Sequence, residues 1–148
     1  KRAELEAYLH RHIPMSAAMR VRVIENGPQR VVLEAPLEPN LHHRATAFGG
    51  SVVTLAILAA WVQVHFRLQV EGRTVHTVIQ KSTMDYDLPV RASFRATCAR
   101  IDDPIWERFC RTLDRRGKGR VSVEALVEGD AGRVGHFRGQ YVALTVDV

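Results

Sequence analysis

The stretch "SVVTLAILAAWVQVHFRLQ", from Ser51 to Gln69, decides the fold, because it has helical length and is apolar on every side. A helix on a protein surface carries one apolar stripe and one polar face. Here Thr54 and Gln63 are the only polar interruptions between Ser51 and His65. Such a helix must be enclosed by other elements of the same fold.

The segments on either side of this helix predict what encloses it. Before it, "AELEAYLHRHIP" predicts a short amphipathic helix, and "MRVRVIENGPQRVVLEAPL" predicts a β-hairpin through Asn26-Gly27-Pro28. After it, four strands are predicted beyond the Glu71-Gly72 turn, following one another as an antiparallel meander. Between the late strands, "DDPIWERFCRTLDRRGKG" predicts an inserted helix with a cationic end.

This order of elements predicts an α+β protein with the hotdog fold, in which an antiparallel sheet wraps around a long central helix. With 148 residues, 46% of them hydrophobic and 25% charged, we expect a single domain over residues 1–148. A lone curled sheet leaves an edge strand uncovered, so we expect a homodimer or a higher homo-oligomer.

Composition limits the classes of binding partner and the cellular location that we expect. The net charge is +5, but the basic residues are scattered until the segment 111–120, so we expect no nucleic-acid partner. The apolar run from Val52 to Val64 is too short to cross a bilayer of about 30 Å, and we expect no membrane insertion. Cys98 and Cys110 have no disulfide-framework spacing, which favours a reducing, cytoplasmic location.

The loop "PNLHHRATAFGGS", residues 39–51, runs directly into the central helix. A helix amino terminus offers unpaired N–H groups and a partial positive charge, and glycine lets a substrate approach the backbone closely. Gly49 and Gly50 therefore predict an oxyanion site at the mouth of an apolar core, suited to thioester hydrolysis. In that arrangement the acyl chain lies along the helix and the thiol carrier lies outside.

The same loop resembles the thioesterase family typified by the C-terminal domain of bacterial YiiD, a hotdog family whose motif is similar to PNxNxxGTxFGGS. The matching residues are Pro39, Asn40, Thr46, Phe48, Gly49, Gly50 and Ser51. Similar features continue in Tyr86-x-x-Pro89-Val90, in "RRGKGRVSVEALVEGDAG" and in Phe137-x-Gly139-x-Tyr141, so the resemblance covers nearly the whole chain. It implies thioesterase activity and assigns Thr46, Phe48 and Gly49 to substrate binding.

The chain departs from the family pattern at two loop positions and from larger hotdog groups at one helix position. His42 stands where the family usually has asparagine, and Ala45 stands where it has glycine. Larger hotdog groups carry an Asp or Glu on the central helix, whereas Thr54, Ile57 and their neighbours offer no carboxylate. The base must therefore come from elsewhere.

Five side chains are candidates for catalysis beside the backbone of Gly50. Asn40 or His42 could orient the attacking water, and a histidine is suited to general base work, but both could equally bond only loop backbone. Ser51 could bond the thioester, although a helix cap is the better expectation. Asp85 and Asp87, which flank Tyr86 at a strand end, could supply the missing acid to a partner's site, or they could simply face solvent.

Substrate binding has a second candidate region in the cationic segment. Arg115, Arg116 and Lys118 could hold coenzyme A phosphates or an acidic acyl carrier protein, or they could be a solvated helix end. No metal motif is present, and we expect no cofactor beyond coenzyme A or phosphopantetheine as part of the substrate. The leading hypothesis is an acyl-CoA or acyl carrier protein thioesterase. The alternatives are a non-catalytic acyl-CoA-binding module and a dehydratase or decarboxylase acting on the same thioesters.

Overall fold

A computed structural model describes residues 1–43 and 45–146 of the chain. The helices are α1 (Arg2–His12), α2 (Pro14–Ala18), α3 (Gly49–Val70) and α4 (Asp103–Arg116). The strands are β1 (Arg22–Asn26), β2 (Arg30–Ala35), β3 (Val75–Tyr86), β4 (Phe94–Ala99), β5 (Lys118–Gly129) and β6 (Gly132–Thr145), and a short 3-10 turn covers Glu38–Asn40.

The six strands form one antiparallel sheet in the order β1-β2-β4-β5-β6-β3. The sheet wraps around α3, which contacts β2, β3, β4, β5 and β6. Strand residues alternate between the helix and the solvent, as in β5, where every second residue from Gly119 to Val127 is buried. The chain therefore has the predicted α+β hotdog fold.

The four strands that follow α3 are not the meander that the sequence predicts. Strands β4, β5 and β6 do follow one another, but β3 pairs with β6 and forms the edge of the sheet, while β4 pairs with β2. Alternation within a strand fixes which of its faces is apolar but carries no information about its neighbours. The sequence therefore could not predict which strand pairs with β3. The observed pairing brings the end of β3 beside the start of α3.

Helix α3 is tied to the sheet by polar bonds as well as by apolar packing. Trp61 Nε1 donates to the carbonyl of Thr77 at 2.8 Å, and Gln63 Nε2 donates to the carbonyl of Cys98 at 3.0 Å. The Tyr141 hydroxyl, on β6, donates to the carbonyl of Ile57 at 2.7 Å. These bonds satisfy the polar groups that an all-apolar environment would otherwise leave unpaired.

The full helix is longer than its apolar run. At 22 residues, α3 is long and apolar enough to cross a membrane by length and composition, in contrast to the shorter run from Val52 to Val64. Most of its apolar window is buried inside the protein, as in the core helix of a folded domain.

Helix α4 is the predicted insertion between β4 and β5. It buries Trp106, Phe109 and Leu113 in the main core and ends at Gly117, whose φ of 73° gives the left-handed conformation that glycine adopts readily. Because Arg73, just after α3, forms an ion pair with Asp114, α4 lies near the carboxyl end of α3. The cationic segment is thereby fixed at that end of the molecule.

Candidate functional site

The amino terminus of α3 has two N–H groups that bond nothing else in the described residues. The helix begins at Gly49 after Phe48, and the N–H groups of Ser51 and Val52 both donate to the carbonyl of Phe48. The N–H groups of Gly49 and Gly50 have no hydrogen-bond acceptor in residues 1–43 and 45–146. They are oriented by the helix and carry its partial positive charge, as a developing oxyanion requires.

The predicted Ser51 cap is wrong. Phe48 occupies the position before the helix, no side chain caps this end, and Ser51 is the third residue of α3. Its hydroxyl lies in the first turn, half-buried. The absence of a cap leaves the first two N–H groups available to a ligand.

A cavity of about 260 Å³ opens at this end of the helix. Its wall includes Gly49 and Val52 of α3, and the segment 86–90 lies opposite. Ala47 and Val134 complete the lining, so the space is mainly apolar with a few polar groups.

Two side chains at the end of β3 supply the polar chemistry of the cavity. The Tyr86 hydroxyl donates to the carbonyl of Gly49 at 2.9 Å, and partial burial raises the pKa of Tyr86. Asp87 also lines the cavity, its backbone N–H donates to the carbonyl of Val134 at 2.7 Å, and Arg133 Nε lies 4.0 Å from its Oδ2. The wall of the cavity therefore includes an acidic residue, whereas α3 carries none in the part where larger hotdog groups have one.

The two glycines differ in what they face. A Cβ on Gly50 would overlap with Cε2 of Phe48, so the Phe48 ring occupies the space that a side chain would need. A Cβ on Gly49 would lie 3.7 Å from the Tyr86 ring, which is an ordinary contact distance. Gly49 thus faces the cavity, whereas the side of Gly50 that would carry a side chain is filled by Phe48.

Asn40 is a buried anchor of the loop and is only 2% exposed. Its Nδ2 donates to the carbonyls of Met19 at 3.1 Å and Pro36 at 2.8 Å, and its own carbonyl accepts the Phe48 N–H at 2.7 Å. Its Oδ1 is buried and has no hydrogen-bond partner in the described residues. Of the two interpretations of Asn40, these bonds favour the structural one, since they fix the residue that precedes α3.

His42 lies in the exposed part of the loop, beside Phe48. Its ring stacks with Phe48 at a centroid distance of 6.0 Å, and its backbone N–H donates to the carbonyl of Thr46 at 2.6 Å. Thr46 is half-buried and Phe48 is exposed. Neither His42 nor Thr46 lines the cavity, to which the loop contributes Ala47.

Ala45, which stands where the family usually has glycine, adopts an unfavourable backbone conformation. Ala45 has φ of 62°, in the left-handed region that side chains other than glycine and asparagine rarely adopt. The glycine usual in the family is suited to this turn, and alanine is accommodated here with backbone strain.

Asp85 and the cationic segment lie away from the cavity. Asp85 pairs in register with His136 on the outer face of the sheet, where both line a second cavity of about 390 Å³. Lys118 pairs with Leu144, and Leu144 pairs with His76, at the opposite end of β3 from Tyr86. Within one chain, Arg115, Arg116 and Lys118 are therefore remote from the start of α3.

The structure thus places Gly49 in the wall of the cavity, with Gly50 and Ser51 beside it in the first turn of α3. Of the two aspartates considered, it brings Asp87 and not Asp85 to the cavity, and it adds Tyr86, which was absent from the predicted site. The family-like pattern Tyr86-x-x-Pro89-Val90 was the signal that could have found Tyr86. Among the described residues, no group of three or more His, Cys, Asp or Glu side chains is placed to hold a metal ion.

Comparison with known proteins gives concordant results. Residues 2–145 match the family model YiiD_C, described as "Putative thioesterase (yiiD_Cterm)". A solved protein of unknown function from Chlorobaculum tepidum is 31% identical, with a TM-score of 0.93 over 98% of this chain and 94% of its own.

Two further solved structures share the fold at lower identity. One, from Shewanella oneidensis, is described as a putative thioesterase; it is 24% identical with a TM-score of 0.84, over 97% of this chain and 96% of its own. A thioesterase from Haemophilus influenzae is 11% identical with a TM-score of 0.77, over 98% of this chain and 91% of its own.

Proposed function

Because the chain belongs to the YiiD C-terminal thioesterase family, we propose that it hydrolyses an acyl thioester of coenzyme A or of acyl carrier protein at the amino terminus of α3. The observation that carries this proposal is the pair of unpaired N–H groups of Gly49 and Gly50 beside a cavity that contains a carboxylate. Backbone donors that point at a developing oxyanion typically contribute about 100-fold to 1000-fold in rate.

The reaction follows from these groups. Water attacks the thioester carbonyl carbon, the carbonyl oxygen becomes an oxyanion held by the Gly49 and Gly50 N–H groups, and the base takes a proton from the water. Collapse of the tetrahedral intermediate breaks the C–S bond, the proton goes to the departing sulfur, and the products are a carboxylic acid, which ionises, and a free thiol.

We assign the general base to Asp87. It is the acidic residue in the wall of the cavity, whereas Asp85 lies on the outer face of the sheet and His42 does not line the cavity. A positioned base typically contributes about 100-fold to 10,000-fold. Tyr86 holds the first turn of α3 through the Gly49 carbonyl and so positions the donors.

We place the acyl chain against the apolar wall of the cavity and its carrier outside the cavity. The apolar wall formed by Val52, Val90 and Val134 suits the acyl group, and the exposed Tyr86 ring belongs to the same lining. The carrier thiol, as coenzyme A or phosphopantetheine, enters with the substrate, and the mechanism uses no further cofactor.

The active unit that we propose is a homodimer in a reducing compartment such as the cytoplasm. Both cysteines are free and buried, and burial raises the pKa of the Cys98 thiol to about 12, so this thiol stays protonated and unreactive. The dimer follows from the long uncovered edge of β3, because open edges of this length associate unless they are blocked.

The test is release of free thiol from acyl-CoA thioesters of graded chain length, with the purified protein. We expect a clear preference within the panel, and we expect Asp87→Asn to lower kcat at least about 100-fold with little change in KM. Asp130→Asn, an identical change in the exposed β5–β6 turn, is the matched control and should retain full activity.

The other outcomes separate the alternatives. Full activity of Asp87→Asn with collapse in His42→Ala would transfer the base to His42. Acyl-CoA binding with no thiol release from coenzyme A or acyl carrier protein thioesters would overturn the thioesterase proposal and favour a non-catalytic binding module.

A further inference from the structure

A third cavity, of about 390 Å³, lies between the turn that joins β1 to β2 and the carboxyl-terminal half of α3. Val31 of β2 and Val62 of α3, both buried, line it, and Phe66 and Val70 continue its apolar wall along the helix. This volume is within the range of about 300–1,000 Å³ that is usual for small-molecule sites. We call this cavity the hairpin groove.

The hairpin groove is separate from the cavity at the amino terminus of α3. The two share no lining residue, since the groove takes its helix residues from Val62 to Glu71 and the other cavity takes Gly49 and Val52. At about 1.5 Å per residue, Val52 and Val62 are separated by about 15 Å along the helix axis. A molecule in the groove would therefore not occupy the place of the acyl group.

Gln63 is the polar side chain of the groove whose hydrogen bonding is incomplete. It interrupts the apolar run of α3 and is only 6% exposed. Its Nε2 donates to the carbonyl of Cys98 at 3.0 Å. Because a carbonyl can only accept, this bond fixes the nitrogen toward β4 and turns Oε1 away from it. Oε1 accepts no hydrogen bond from residues 1–43 and 45–146.

The Gln63 oxygen is open to the groove. Within the described part of the chain, Asn40 Oδ1 is the one fully enclosed side-chain nitrogen or oxygen that lacks a hydrogen-bond partner, so Gln63 Oε1 is not enclosed. Since Gln63 is more than nine-tenths buried and lines the groove, its oxygen is reached from there. An acceptor in a mainly apolar cavity suits a ligand that donates one hydrogen bond, because an unmet acceptor has a free-energy cost.

The charged side chains at the border of the groove already neutralise one another. Arg67 and Arg100 both donate to Asp103, at 3.4 and 3.1 Å, and Arg67 also lies 3.6 Å from Glu71. The ion-pair network consists of the guanidinium groups of Arg67, Arg73 and Arg100 and the carboxylates of Glu71, Asp103 and Asp114. Because the two signs balance, an ion that left water for the groove would find no unpaired counter-charge, and a neutral ligand is favoured.

Phe66 gives the groove an aromatic wall of fixed orientation. Its ring makes edge-to-face contacts with Tyr8, Trp61 and His65, at centroid distances of 5.2, 5.8 and 5.4 Å. The Phe66 side chain is half-buried and lines the groove. A ring that is already held in place loses little freedom when an aromatic ligand packs against it, and aromatic pairs are favourable when offset or edge-to-face.

We propose that the hairpin groove binds a small, neutral aromatic molecule that carries one N–H or O–H donor, with its ring against Phe66 and its donor bonded to Gln63 Oε1. Indole is the simplest probe of this chemistry, because it is a flat ring system with a single N–H. The site goes beyond thioester hydrolysis and does not depend on the proposed function.

Titration of the purified protein with indole, followed by proton–nitrogen correlation NMR, tests the site. We expect saturating shifts of the Gln63 side-chain amide and of backbone amides between Val62 and Glu71, with a Kd below about 1 mM. Benzofuran has the same shape with an oxygen in place of the N–H, so it should bind roughly 10-fold more weakly. Equal Kd values, no saturation below about 10 mM, or shifts confined to the first turn of α3 would overturn the proposal.

Gln63→Met tests the acceptor, because it keeps the length of the side chain and removes the oxygen. We expect the variant to lose the preference for indole over benzofuran, and a preference equal to that of the wild type would contradict the assigned hydrogen bond. The variant also loses the bond to Cys98, so a second variant is needed that does not disturb the core.

Val70→Trp changes the groove from its exposed side, since Val70 is 87% exposed and its replacement should not impair folding. The larger ring narrows the opening, and we expect the Kd values of both probes to rise at least about 10-fold. Gln69→Trp places the same ring at the preceding exposed position, which does not line the groove, and should leave both Kd values unchanged. Equal effects of the two variants, or no effect of either, would show that the probes bind elsewhere and would refute the site.

Discussion

The two ends of α3 differ in how completely their polar groups are satisfied. At the carboxyl end, Glu71 accepts from Arg73 at 2.6 Å and from Trp106 Nε1 at 3.1 Å, and the Arg67 guanidinium lies 4.2 Å from the centroid of the Trp106 ring. At the amino end, the Gly49 and Gly50 N–H groups have no acceptor in the described residues. A closed end contributes stability, whereas an open end beside a cavity is available for chemistry, so substitutions at the two ends should affect different properties.

The largest stability effect is expected at the amino end, where Asn40 fixes the residue before the helix. Asn40→Ala removes two donated hydrogen bonds and leaves the carbonyls of Met19 and Pro36 without their donor. We expect a loss of about 3 kcal/mol in the free energy of unfolding, measured by urea denaturation. Asn26→Ala, at an exposed asparagine, should stay within about 0.5 kcal/mol of the wild type, and equal effects would remove Asn40 from its anchoring role.

Gly49 and Gly50, in the same first turn of α3, should differ in how an alanine substitution affects stability. Gly50→Ala forces a methyl group against the Phe48 ring, and we expect a loss of about 2 kcal/mol in thermal or urea unfolding. Gly49→Ala has room beside Tyr86, so its stability should remain within about 1 kcal/mol of the wild type. Its methyl group enters the cavity, however, and should lower kcat/KM for thiol release. Equal stability of the two variants would contradict the assignment of their facing surfaces.

At the carboxyl end, Glu71→Gln should affect stability without affecting catalysis. The variant loses the charge that Arg67 and Arg73 share, and the partial exposure of the side chain limits the loss to about 1 kcal/mol. We expect kcat and KM for thiol release to be unchanged. Glu107→Gln, on the exposed face of α4, is the matched control for stability. A change in kcat for Glu71→Gln would show that the closed end takes part in catalysis.

How far the sequence predicts this molecule depends on whether a feature is local. The buried helix, the strands and the Gly-Gly start of α3 follow from residues near in sequence, and the structure confirms them. The neighbours of β3 depend on contacts distant in sequence, and the predicted meander is wrong.

The prediction for Asp85 illustrates the same limit at the level of one residue. Simple alternation from Val75 and Thr77 would turn residue 85 toward the helix. A β-bulge at Gln80 reverses the alternation, so Asp85 faces outward, and Asp87, which follows the strand, lines the cavity. The bulge, which no local pattern announces, turns Asp85 away from the helix, and the end of the strand at Tyr86 leaves Asp87 free of the alternation.

The smallest effect is expected in the buried part of α3, at His65. Its Nδ1 lies 2.8 Å from Oγ1 of Thr77 and its ring stacks on Trp61, and burial, followed by the nearby His76, lowers the pKa of His65 below 6.5. The unfolded chain therefore takes up this proton first as the pH falls. The stability contributed by neutral His65 is fully present above pH 6.5 and is lost as the pH falls through 6.5 toward the folded-state pKa.

We expect the free energy of unfolding, measured by urea titration between about pH 8 and about pH 5, to fall more steeply in the wild type than in His65→Gln. His12→Gln, at an exposed histidine of α1, should retain the wild-type slope. If His65→Gln also retained the wild-type slope, the pH dependence of the free energy of unfolding would have to arise from groups other than His65. The buried middle of α3 would then make no measurable contribution to it.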